Sequence, residues 1–150
     1  MCNAKGGSEM SNVTVTSLSN LQNEVRYGLA NKTFITDEPL IAGGDDAGPD
    51  PYSLLLAALG SCISMTSMLY ARRKGWPLKR VTVNLEANRI HAKDCEECTR
   101  TTEGFAHRIE RSVTFEGDLS DDQLERLKEI AGKCPVHRAL TSEIVIVEKK

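Results

Sequence analysis

Two cysteines in unlike settings are the residues of this chain best suited to chemistry. Cys62 lies inside the apolar run Tyr52-Ser-Leu-Leu-Leu-Ala-Ala-Leu-Gly-Ser-Cys62-Ile-Ser-Met65, and Cys134 opens the turn Cys134-Pro-Val-His-Arg-Ala-Leu140. Proline favours the first position of a helix, so the Cys134 thiol should face the unpaired N–H groups of a helix start, which stabilise a thiolate. His137 and Arg138 add positive charge nearby. Taken singly, Cys62 reads as a small buried hydrophobe and Cys-Pro as punctuation. Together the two suggest redox chemistry.

A third group is His91-Ala-Lys-Asp-Cys95-Glu-Glu-Cys98, with His107 further on. The Cys-x-x-Cys spacing suits zinc, and a hairpin centred near Thr99 would set His91 opposite His107 on the apolar phase of both strands. A metal-free loop is the preferred reading, an accessory dithiol the next, and a Cys2His2 site the last. No metal is therefore assigned.

Elements of some length must position these groups. The chain has 150 residues and a formal net charge of -2, which suits one domain with a core that needs no covalent staples and points to neither nucleic acid nor a membrane surface. Met1-Cys-Asn-Ala-Lys-Gly-Gly-Ser8 has no apolar signal segment. Residues 1–11 thus read as a disordered N-terminus, 12–150 as a single domain, and the protein as cytoplasmic. Five cysteines cannot all pair within one chain, and a reducing compartment disfavours permanent disulfides.

Short strands are expected at Val13–Ser17, Glu24–Leu29 and Thr33–Thr36, forming an antiparallel meander before a loop rich in Gly, Asp and Pro from Gly43 to Asp50. Asp50 as N-cap and Pro51 as first residue open a helix that Gly75-Trp-Pro77 closes, roughly 36 Å long at 1.5 Å per residue. Ser61, Ser64, Thr66 and Ser67 interrupt its apolar surface, so it reads as a buried central helix rather than a membrane span. Alternation then places Val81, Val83, Leu85 and Ala87 on the inner face of one strand. Phe105, Ile109, Val113 and Phe115 do so on the next, with Arg111 in the same phase at an edge or interface. Ser120 and Gln123 form a capping box for a helix ending near Gly132, a short helix follows Pro135, and Glu143–Val147 reads as a strand inside a sheet.

The loop, the Asp50–Cys62 segment and the later Cys134–Leu140 turn, in that order, resemble the OsmC/Ohr family of osmotically inducible and organic-hydroperoxide-resistance proteins over essentially the whole chain. The resemblance is greatest to the branch carrying Arg73-Lys-Gly-Trp-Pro77. It implies an α+β fold, with antiparallel sheets wrapped around long central helices in a swapped homodimer whose two sites lie at the subunit interface. It also implies a thiol-dependent peroxidase acting on organic hydroperoxides. The Cys62 thiolate would attack the O–O bond, become a sulfenic acid and condense with Cys134, and a dithiol reductant, typically lipoyl-linked, would reduce the resulting disulfide, with no cofactor. A hydrophobic dimer cleft lined by Leu55, Leu59 and Met65 would favour bulky peroxides over hydrogen peroxide. Peroxidase members of the family also carry a glutamate at or next to the helix-opening proline, which sets an arginine against the thiolate. Here Tyr52 and Ser53 stand at those positions. Arg26 is a candidate for the arginine, though it reads more simply as a solvated surface charge. The alternative is a non-catalytic redox-sensing or metal- or ligand-binding protein of the same fold.

Overall fold

The computed structural model describes residues 12–148. The segment expected to be disordered, 1–11, lies outside them. The chain divides after Leu54 into two compact units. In the first, β1 (Val13–Ser17), β2 (Asn23–Tyr27) and β3 (Lys32–Thr36) form an antiparallel sheet in chain order. Asn20 and Asn31 take left-handed backbone conformations at the two connections, with φ of 52° and 49°, a conformation asparagine tolerates better than most residues. Val25 pairs with Val15 on one side and Phe34 on the other, and it is the buried centre of the sheet.

After β3 the chain folds around one carboxylate. Asp37 is buried and accepts backbone N–H bonds from Glu38 (2.9 Å), Asp45 (3.0 Å) and Ala47 (3.1 Å). Burial pushes its carboxyl up, but the three donors outweigh burial and hold it below the ordinary value. The loop passes so close to itself that a Cβ at Gly44 would overlap the Glu38 carbonyl oxygen, and one at Gly48 that of Ile35. This explains why the segment is glycine-rich.

α1 (Pro51–Lys74) begins and ends where the sequence places it. Asp50 Oδ1 accepts from the N–H groups of Tyr52 (2.9 Å) and Ser53 (3.1 Å), and Oδ2 accepts from the Ser53 hydroxyl. The Ser53 hydroxyl is the main cause that lowers the Asp50 pKa. At the far end Trp76 N–H bonds the Ala71 carbonyl at 2.9 Å and Gly75 N–H that of Arg72 at 3.2 Å, with Gly75 at φ 67°, a Schellman stop. Burial is confined to the stripe Leu59, Ile63, Ser67 and Ala71, one residue per turn. Tyr52, Leu55, Met65 and Leu69 are exposed, so the single chain buries the helix along one stripe rather than on all sides. The helix is long and apolar enough to cross a membrane by length and composition, yet its buried stripe belongs to the core of the second unit.

β4 (Leu78–His91) and β5 (Phe105–Gly117) form a long antiparallel hairpin. Val81 opposes Phe115, Val83 opposes Val113 and Ala87 opposes Ile109, so the alternation in the sequence gives the pairing. Two expectations are corrected at its far end. Phe105 is exposed rather than in the core, and it opposes His91, while His107 opposes Arg89. A short 3-10 turn at Ala92–Asp94, and the Ala92 N–H bond to the Gly104 carbonyl at 2.8 Å, set the closing register and keep the two histidines from facing each other.

α2 (Asp121–Ala131) opens on the complete Ser120/Gln123 capping box, and α3 (Pro135–Thr141) follows. Two clusters make the core of this unit. Leu59, Ile63, Ala131 and Cys134 form one, Ala71, Leu78 and Leu127 the other, and Phe115 packs against both. The predicted final strand is not formed. Residues 143–148 pair with no strand, and Ile144, Val145, Ile146 and Val147 are exposed. A continuous apolar run becomes a strand only where a neighbour completes its backbone hydrogen bonds, and the described residues supply none here.

Candidate functional site

Cys62 and Cys134 meet in the second unit. Cys62 projects from the middle of α1 beside the fully buried Ile63, and Cys134 caps α3. Both are free thiols packed into the same apolar cluster, with Cys62 half-buried and Cys134 fully buried. A molecule arriving from solvent therefore reaches Cys62 before Cys134.

The start of α3 does not stabilise a thiolate at Cys134 as its sequence suggests. The Cys134 Sγ does accept the His137 N–H at 3.3 Å, and the Val136 N–H helps. Burial nevertheless pushes the thiol up more than these donors pull it down, and the neighbouring Cys62 thiol adds to the rise. Cys134 is therefore held as a neutral thiol above its ordinary value. Removing a thiolate from water costs more than a few N–H dipoles return.

Arg111 is a residue whose role the sequence did not reveal. It lies on the inner face opposite Leu85 and donates from Nη1 to the Ala131 carbonyl at 2.8 Å. A cation at a helix C-terminus is favourable, and this one fixes the end of α2 just ahead of Cys134. An arginine in the apolar phase of a strand was the available signal.

Between α1 and β4 lies an open groove of about 420 Å³, lined by Leu56, Ala57, Gly60, Ser61, Ser64, Val81, Val83 and Leu85, on a face of α1 that does not include Cys62. Gly60 allows the approach, because a Cβ there would sit 3.0 Å from Leu85 Cδ1. Leu59 belongs to the core of the chain, while Leu55 and Met65 are exposed on α1.

The residues considered for an arginine–carboxylate pair are engaged locally. Arg26 is exposed and ion-paired with Glu24 at 3.0 Å on β2. Ser53 gives its hydroxyl to Asp50, whose carboxylate is committed to the start of α1.

The other two cysteines among the described residues pair with each other. Cys95 and Cys98 form a disulfide with Cα atoms 5.4 Å apart, contrary to the expectation of none. His91 Nδ1 accepts the Lys93 N–H at 3.3 Å and its ring lies against Phe105. Among the described residues no group of three or more His, Cys, Asp or Glu side chains is placed to hold a metal. The structure does not assemble His91, Cys95, Cys98 and His107 into one site.

Residues 43–149 match the family model of the OsmC-like proteins. An uncharacterised protein of Haloferax volcanii is 30% identical over 102 residues, 67% of this chain and 69% of that protein. Among solved structures, the OsmC-like protein of Mycoplasma pneumoniae superposes with a TM-score of 0.67 at 18% identity, covering 88% of this chain and 87% of that one. The organic hydroperoxide resistance protein OsmC of Legionella pneumophila gives 0.64 at 17% identity, covering 91% and 92%. The fold is thus that of the OsmC and Ohr structures.

Proposed function

The chain belongs to the OsmC-like family, and from that premise we propose that it is a thiol-dependent peroxidase of organic hydroperoxides, with Cys62 as nucleophile and Cys134 as resolving thiol. One observation carries the reading: a half-buried and a fully buried free thiol, from two separate helices, share one apolar cluster. Attack by the Cys62 thiolate on the O–O bond releases an alcohol and leaves a sulfenic acid. Cys134 then displaces water from that sulfur and closes the disulfide. A dithiol returns both to thiols.

A homodimer fits the surface. Leu55, Met65 and Leu69 on α1, and Ile144 to Val147 at the C-terminal end, are too apolar for a lone chain to leave in water, and a second copy would cover them. We place the protein in the cytoplasm as part of the same proposal.

Steady turnover of cumene hydroperoxide by catalytic amounts of protein, with dithiothreitol as reductant, is the expected result, and none above the buffer rate contradicts it. The second reading, a non-catalytic sensor or metal- or ligand-binding protein, is favoured by one observation. The carboxylate at the start of α1 is spent on helix capping, and no glutamate stands at Tyr52 or Ser53. Stoichiometric zinc in purified protein that consumes no peroxide supports that second reading.

A further inference from the structure

The Cys95–Cys98 disulfide plays no part in the peroxide reading, and little in holding the fold. It spans a sequence separation of 3 in the loop between β4 and β5. The ladder already runs to the His91 and Phe105 pair, and Ala92 N–H reaches the Gly104 carbonyl at 2.8 Å, so the hairpin closes without the cross-link. So short a ring removes little freedom from the unfolded chain. Both cysteines are half-buried rather than enclosed, and Glu96 and Glu97 between them are exposed, so a thiolate from outside can reach a sulfur. The strand from Leu85, which packs beside the Cys134 cluster, to His91 is roughly 20 Å long at 3.3 Å per residue. Direct exchange between the two cysteine pairs of one chain is therefore out of reach.

We propose that Cys95 and Cys98 are a second redox centre, a dithiol–disulfide couple that exchanges with an external dithiol independently of Cys62 and Cys134. One thiolate of that dithiol attacks a sulfur of the Cys95–Cys98 bond, which breaks as a mixed disulfide forms, and the departing cysteine takes up a proton. The second thiolate of the donor attacks the mixed disulfide and releases the other cysteine. Two electrons and two protons pass to the protein, and the donor leaves as its own disulfide. Charge sets the direction of the couple. Asp94, Glu96 and Glu97 disfavour thiolates at the two cysteines, with Lys93 and Arg100 offsetting this in part, so the reduced pair gains little stabilisation and the couple is a reducing one.

The test uses the full chain carrying Cys2→Ser, Cys62→Ser and Cys134→Ser, equilibrated across ratios of reduced to oxidised dithiothreitol, quenched in acid, alkylated and weighed. Because Cys62 is absent, failure here is separate from failure of the peroxide reading. The expected result is one two-electron transition in which Cys95 and Cys98 are alkylated together. Glu96→Gln with Glu97→Gln should lower the dithiothreitol ratio needed by about two- to fivefold. The same buffers applied to the unmodified protein, with Cys95 and Cys98 followed by peptide mapping, keep the test decisive if the variant misfolds. A disulfide that stays closed at every ratio, thiols that never close, or stoichiometric zinc held by the reduced pair overturns the proposal.

Discussion

Cys62 and Cys134 come from separate helices and meet because α1, α2 and the β4–β5 hairpin pack together, whereas Cys95 and Cys98 are neighbours by sequence alone. The first pair is set against the core, whose packing dictates access to both thiols and holds the Cys134 thiol above its ordinary pKa. The second pair sits on a loop, where the residues between the cysteines do most of the tuning. Chemistry coupled to packing should respond to changes throughout the core. Chemistry confined to a loop should respond only to its neighbours.

The sharpest way to break this contrast is Cys62→Ser. It should lower peroxide consumption by on the order of a hundredfold or more, since a hydroxyl is a far weaker nucleophile than a thiolate, and leave the Cys95–Cys98 couple unchanged. Cys134→Ser should be milder and different in kind. The first turnover should persist, a sulfenic acid should accumulate and be trapped by dimedone, and no disulfide should form within the core pair. In the unmodified protein the trapped fraction should fall as pH rises, because Cys134 attacks as a thiolate and its pKa is raised by burial. A trapped fraction independent of pH would contradict that assignment.

Stability should separate the two regions next. Leu127→Ala removes a fully buried side chain and should cost about 2–5 kcal/mol in urea unfolding. Cys95→Ser with Cys98→Ser should cost about 2 kcal/mol or less. The smallest effect concerns the first unit. Asp37 has a depressed folded pKa, so its contribution to stability is present above the pKa of the unfolded carboxyl and is lost as pH falls through the lower folded value. Asp37→Asn should therefore flatten the acid limb of the pH–stability profile, read by thermal melts across pH, and leave the neutral-to-alkaline limb with the same slope.

Much of this was legible in the chain. Alternation and turn residues gave the meander and the β4–β5 pairing, and caps at Asp50, Ser120 and Cys134 gave the three helix starts, because these signals act between residues close in sequence. What escaped depends on packing at a distance. The stripe that leaves Leu55 and Met65 exposed, the reach of Arg111 to the end of α2, and the rise in the Cys134 pKa each follow from which elements meet. The hairpin tip differs by two residues from the expected register because a 3-10 turn and the Ala92 N–H bond to Gly104, not strand alternation, set it. The final apolar run has no partner strand among the described residues, and local pattern alone cannot tell a paired strand from an unpaired one.

The account rests on a bond between Cys62 and Cys134, and the direct test is to count thiols while fully reduced protein is titrated with cumene hydroperoxide, then locate the new linkage by peptide mapping. Loss of the Cys62 and Cys134 thiols together, joined to each other and absent in Cys62→Ser, is the predicted result. No loss at these two residues, or the same loss in the variant, contradicts it.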